Sequence, residues 1–150
     1  MPPSDVIPIA VAVVEHEGRV LIGQRPAGTA LAGLWEFPGG KIRAGERAEE
    51  AAERECLEET GLAIRILATC SEVEHEYEHG RVRIRFLAAT PIDPGREPAA
   101  PFRWVAIPHL TGYEFPPANR DVIQRMVRGP GHRTGSGHAR GPSSGPNYSP

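Results

Sequence analysis

Glu55, Glu58 and Glu59 are spaced three and four residues apart, so on a helix their carboxylates share one face. Like charges at that spacing repel. They also crowd the C-terminal end of the segment Arg47–Thr60, where the helix dipole disfavours negative charge. A hard divalent cation makes the arrangement favourable, because Mg²⁺ takes oxygen ligands and bridges carboxylates to phosphates. The alternative is a solvated, acid-rich helix face, to which Glu49, Glu50 and Glu53 would also belong. A glycine pair ahead of the helix shifts the balance. Gly39-Gly40 lets the backbone approach a ligand and exposes carbonyl oxygens, so the Gly39 carbonyl is a candidate further ligand.

These residues need elements to hold them. Arg47–Thr60 is rich in Ala, Glu, Arg and Leu, which favour helix, and Gly61 stands at the C-cap position. Val6–Glu15 is nearly continuous in apolar residues, the pattern of a buried strand. After a turn at Glu17-Gly18, Arg19–Arg25 reads as a second strand and Pro26–Gly33 as a loop. Trp35–Phe37 is a short extended piece stopped by Pro38-Gly39-Gly40. Leu62–Tyr77 reads as one or two strands, with Gly80 at a hairpin tip. In Val82–Ala88, Val82, Ile84, Phe86 and Ala88 face one way and Arg83, Arg85 and Leu87 the other. Pro91–Pro101 is a proline-rich loop, Phe102–Ile107 a strand, and Ala118–Arg128 an amphipathic helix through Val122, Ile123, Met126 and Val127. Strands with two helices imply an α/β layered domain.

The chain has 150 residues, enough for one domain with one core. The domain is expected over 5–128. Residues 129–150 are mostly Gly, Pro and Ser, without Val, Ile, Leu, Met or Phe, and read as a disordered tail. A formal net charge of −2 argues against a broad basic surface, so no stable nucleic-acid complex is expected. No membrane span and no signal peptide are read, and two cysteines make no disulfide framework, so the expected setting is the cytoplasm.

The spacing of the box resembles a known family. Gly40, Glu46, Arg54, Glu55, Glu58, Glu59 and Gly61 fill the fixed positions of the Nudix box, with Leu62 at its closing apolar position. From average residue usage, a chance match is on the order of one in a million. Cys56 departs from the usual Ile, Leu or Val, and is read as a buried thiol behaving as a small hydrophobe rather than as a nucleophile. The resemblance implies a Nudix fold, an α/β/α sandwich with a mixed central sheet. It implies that Glu55, Glu58 and Glu59, with Gly39, bind Mg²⁺ or Mn²⁺. Arg54 would orient a box glutamate and Glu46 would support the loop–helix junction. The implied reaction is attack of metal-activated water on a diphosphate phosphorus of a nucleoside diphosphate derivative.

The resemblance extends to the MutT-like branch, whose members hydrolyse oxidised guanine nucleotides and tend to be monomeric. Leu34-Trp35-Glu36-Phe37-Pro38-Gly39-Gly40-Lys41, Gln24-Arg25 and Phe115-Pro116-Pro117-Ala118-Asn119 carry it. It implies substrate contacts at Arg25, Glu36, Phe37, Pro38, Gly39 and Asn119, and a nucleoside triphosphate such as 8-oxo-dGTP as substrate. The Asn119 carboxamide offers both a donor and an acceptor, matching the O6 carbonyl and N7–H of an oxidised guanine. Helix capping is the competing role for Asn119, and core packing for Trp35 and Phe37. A loop glutamate would act as general base. Glu97 is the best positional match, with Glu76 and Glu78 as rivals in the acidic stripe Glu72, Glu74, Glu76 and Glu78. The competing reading of that stripe is a solvent-facing edge, with Arg81, Arg83 and Arg85 either in the cleft or on a plain surface strand. Other substrates, CTP or modified pyrimidine triphosphates, and a non-catalytic domain binding oxidised guanine are the alternatives.

Overall fold

The computed structural model describes residues 6–78 and 80–129. The tail expected over 129–150 therefore lies outside the described residues, except for Gly129, and so does His79.

The sheet is mixed. Its strands are β1 (Ile7–His16), β2 (Arg19–Gln24), β3 (Trp35–Glu36), β4 (Gly39–Lys41), β5 (Ile64–Tyr77), β6 (Gly80–Pro91) and β7 (Phe102–Ala106). The main order is β3-β2-β1-β6-β5, with β4 paired to β1 and β7 to β2. Among the described strands only β1 and β6 run parallel, from Ile7 opposite Val82 to Val14 opposite Ala89. The first half of β1 carries β4 on its other side, while Glu15 and His16 hold β2.

Alternation along β1 and β6 divides the core in two. Val13, Ile84, Phe86 and Ala88 join Val122 and Met126 of helix α2 (Arg120–Arg128) on one face. Ala10, Ala12, Val14, Leu87 and Ala89 meet Ala48, Ala51, Ala52 and Cys56 of helix α1 (Ala48–Thr60) on the other. The expected α/β/α layering follows from this two-sided burial. Small residues at 48, 51, 52 and 56 let α1 lie close to the sheet. Gly61 ends the helix in the left-handed region at φ 78°, its N–H donating to the Leu57 carbonyl at 3.0 Å. No described helix is long and apolar enough to cross a membrane.

Several expected boundaries move. Pro38-Gly39-Gly40 does not stop the chain's extended course. Gly39–Lys41 forms β4, and pairing this tight depends on glycine: a Cβ at Gly39 would lie 2.5 Å from the Ala10 carbonyl oxygen and 2.7 Å from the Val11 Cα. Leu62–Tyr77 is one strand with two irregularities, between Ile66 and Ala68 and between Thr69 and Ser71. The strand expected at Val82–Ala88 extends to Gly80–Pro91, and Arg25 lies just beyond β2. The last helix begins later than Ala118. Pro116 and Pro117 impose a 3₁₀ turn over Pro117–Asn119, and α2 starts at Arg120. Ile107–Gly112, absent from the sequence reading beyond Ile107, is a second 3₁₀ helix.

Candidate active site

The box closes on itself through Arg54. Its guanidinium donates to Glu46 at 2.7 and 2.9 Å, to Glu55 at 3.1 Å and to the Lys41 carbonyl at 3.1 Å. The Glu58 carboxylate lies 3.6 Å from the same guanidinium. Glu46 also accepts the Arg43 N–H at 2.9 Å, and so ties the loop to the helix. Arg54 holds the Glu46 carboxyl well below the usual range, at about 2, assisted by the Arg43 N–H.

Strand β4 presents its other edge to α1. Pro38 and Ile42 bond toward β1, through the Ala12 N–H to the Pro38 carbonyl and the Ile42 N–H to the Pro8 carbonyl. Alternation therefore turns Gly39 and Lys41 toward α1. The Gly39 N–H donates to Glu59 at 3.1 Å, matching the Arg54 bond to Lys41, and the Gly39 carbonyl lies along the same edge. Gly40 sits directly against Glu55, where a Cβ would come within 2.5 Å of the carboxylate.

Burial pushes the Glu59 carboxyl up to about 8, with Glu55 and Glu36 adding to the shift and the Gly39 N–H opposing it. A desolvated carboxylate pressed by two others is a setting that favours a cation. Glu58 is more exposed and lies toward Arg54, and among the described residues no three acidic, His or Cys side chains close around one point. Mg²⁺ does not require such a cage. It keeps several waters and uses one or two carboxylates plus substrate phosphates. Glu55, Glu59 and the Gly39 carbonyl fit that demand.

The remaining residues fall into three places. Arg25 donates to Glu36 at 2.8 Å and to the Ala30 carbonyl at 2.7 Å. Because Glu36 acts on Glu59, this pair stands beside the box. Phe37 and Pro38 are buried, and Phe37 packs between Phe115, at 5.2 Å, and Phe86, at 6.4 Å, so the core-packing role is realised. Asn119 is also buried, at 8% exposure. Its side chain makes no capping bond to α2, although it occupies the cap position.

Glu97 is exposed on the loop after β6, anchored by the Ala99 N–H to the Thr60 carbonyl at 2.8 Å. Among the described residues it makes no ion pair with the box. Glu72, Glu74 and Glu76 pair across the hairpin with Arg85, Arg83 and Arg81, at 4.0, 3.0 and 3.7 Å, and form a surface ladder. Glu78 is exposed beside them. Cys56 is buried, and burial raises its thiol to about 11, which keeps it inert. Tyr113 and Arg103 were not singled out from the sequence. Tyr113 stands two residues before Phe115, and that proximity was the available signal.

The family model described as the NUDIX domain matches residues 9–125. The chain is 32% identical over 123 residues to the 8-oxo-dGTP diphosphatase of Escherichia coli (strain K12), covering 80% of this chain and 95% of that protein. It is 44% identical over 57 residues to the CTP pyrophosphohydrolase of the same strain, covering 38% of this chain and 42% of that protein. The crystal structure of a MutT protein from Methanosarcina mazei Go1 superposes with a TM-score of 0.73 at 24% identity, covering 89% of this chain and all of that one, a likeness of fold. With its box complete and the fold in place, the chain belongs to the Nudix family of hydrolases.

Proposed function

We propose that the chain hydrolyses oxidised purine nucleoside triphosphates, 8-oxo-dGTP among them, to the monophosphate and pyrophosphate, and so clears the nucleotide pool of bases that cause replication errors. Asn119 carries this reading. The residue is 8% exposed, and its carboxamide does not cap α2 and makes no hydrogen bond to another described residue, so its polar atoms stay open to a ligand. A base that covers this carboxamide must match it, because an amide left buried and unpaired costs about 1–3 kcal/mol. An oxidised guanine presents O6 and N7–H, whereas guanine presents two acceptors and leaves the Asn carbonyl facing a lone pair. Phe37 and Phe115 would border the base and Arg25 would reach the nucleotide. The relative named 8-oxo-dGTP diphosphatase, aligned over most of both chains, supports the same substrate.

For the chemistry, Glu55, Glu58, Glu59 and the Gly39 carbonyl would hold Mg²⁺ or Mn²⁺. The metal would supply a lowered pKa for the attacking water and offset charge on the phosphate oxygens. Arg54 holds Glu55 by a hydrogen bond and lies 3.6 Å from the Glu58 carboxylate. Glu97, on its anchored loop, would take the water proton as general base. The proposed setting is the cytoplasm, with the protein acting as a monomer.

The deciding experiment is a nucleotide panel with Mg²⁺. The expected result is a kcat/KM for 8-oxo-dGTP far above that for dGTP, and a drop in that ratio of about 5- to 150-fold in Asn119→Ala. Equal efficiencies on the two nucleotides would remove the base-reading role. Preference for CTP would favour the pyrimidine reading suggested by the partial relative. Binding of oxidised guanine without turnover would leave a recognition module, against which the complete box stands.

A further inference from the structure

The segment carrying Asn119 is fastened to the strand carrying Glu36 at several points. The Trp35 N–H donates to the Glu114 carbonyl at 2.8 Å, and Phe37 packs on Phe115. The Tyr113 ring meets the Trp35 ring edge-on at 4.9 Å and 85°. Arg103, from β7, lies over both, 5.0 Å from the Trp35 ring centre and 5.7 Å from that of Tyr113, and donates to the Tyr113 hydroxyl at 3.3 Å. Among the described residues Arg103 pairs with no carboxylate, so its charge is directed at these rings. Between Tyr113 and Asn119 the chain is short and stiffened by Pro116 and Pro117, and the Asn119 N–H donates to the Pro116 carbonyl at 3.0 Å. A displacement at Tyr113 therefore passes to Asn119 with little slack.

We infer that Arg103, acting through Trp35 and Tyr113, is a positioning residue that sets where the Asn119 carboxamide meets the base. The inference rests on the base-reading role proposed above for Asn119. Arg103 lies on β7, away from the glutamates of the box, and its loss leaves the hydrolytic step intact. A cation over partly buried aromatic rings is worth a modest amount, so the expected effect is modest: the 8-oxo-dGTP over dGTP preference falls about two- to fivefold in Arg103→Met.

The test has two arms. In the kinetic arm, Arg103→Met raises KM for 8-oxo-dGTP, leaves kcat unchanged and leaves dGTP kinetics unchanged, and Arg103→Lys restores part of the preference. In the second arm, amide hydrogen exchange on the free protein shows faster exchange for the Trp35 amide and for Tyr113–Asn119 in Arg103→Met, with α1 unaffected. Unchanged exchange in that segment overturns the clamp whatever the substrate. An equal loss of kcat on both nucleotides, or an undiminished preference, overturns the positioning role. A wild-type protein that treats the two nucleotides alike defeats the base-reading proposal, and the positioning role with it, while the exchange arm still decides whether the clamp exists.

Discussion

Replacing Gly40 by alanine separates the site from the fold. The new Cβ would lie 2.5 Å from Glu55 Oε2 and 2.6 Å from its carboxyl carbon, where ordinary contact begins at 3.4 Å. The carboxylate must therefore retreat by about 0.9 Å, the difference between 3.4 and 2.5 Å. A misplacement near 1 Å in a catalytic site costs about 10²-fold in rate. Stability should barely change. The retreating atoms are the end of a flexible side chain, at an off-rotamer cost of about 1 kcal/mol. Alanine in place of glycine at a compatible position returns about 0.4–1 kcal/mol through the unfolded state. Gly39→Ala is the control. Its Cβ meets the backbone of β1, at the Ala10 oxygen and the Val11 Cα, and backbone cannot swing aside. Overpacking of that kind costs about 1–3 kcal/mol, a loss of several degrees in Tm. The assay pairs kcat at saturating Mg²⁺ with thermal unfolding for both variants. Gly40→Ala should keep its Tm and lose about 10²-fold in kcat, and adding Glu55→Gln should lower kcat little further, because the two changes act on one carboxylate. Wild-type kcat in Gly40→Ala would refute the placement of Glu55 in the reaction. A Tm loss equal to that of Gly39→Ala would show that the backbone, not the carboxylate, yields.

Glu59 gives the metal-free protein a pH dependence. Its carboxyl is raised to about 8 from a reference of 4.5, so its contribution to stability is fully present below 4.5 and is lost as pH rises through 8. In chelator, Tm should fall between pH 5 and 9, and Glu59→Gln should flatten that fall and be the more stable protein at pH 9; a variant that falls as steeply would mean that Glu59 is not the group responsible. For the general base, Glu97→Gln should lower kcat by about 10²- to 10⁴-fold, while Glu76→Gln and Glu78→Gln leave it near wild type. The reverse ranking would move the base to the β5–β6 hairpin.

Much of the fold was legible because burial imposes period. The continuous apolar run in β1 and the alternation in β6 state, residue by residue, which side chains enter which of the two cores. Helix α1 was legible through its composition and through Gly61. Strand β4 was not. Three residues with two glycines carry no periodicity, and of the glycines that read as a stop Gly39 has β1 too close for a Cβ and Gly40 has the Glu55 carboxylate. The start of α2 was misread for a related reason. Helix periodicity over Val122, Ile123, Met126 and Val127 does not mark where a proline-led 3₁₀ turn hands over to it. Phe37 shows a further limit: an aromatic beside a glycine pair has the same type and spacing whether it meets a base or packs between Phe86 and Phe115.

The same contrast explains why the reaction class is legible and the base is not. The box is local in sequence. Arg54, Glu55, Glu58 and Glu59 lie on one helix, and Glu46 reaches Arg54 from the loop directly before it, so spacing alone fixes their mutual geometry. Base recognition, as proposed, is distant in sequence. Arg25, Glu36 and Asn119 come from separate elements, and their arrangement depends on residues that touch no substrate: the Ala30 carbonyl that holds Arg25, and the Trp35, Tyr113 and Arg103 cluster that fastens the segment leading to Asn119. Substitutions in that supporting set are therefore expected to alter which nucleotide is preferred, while substitutions in the box alter whether any is hydrolysed. Related chains with an intact box can then diverge in substrate without any change in the residues that make the reaction run.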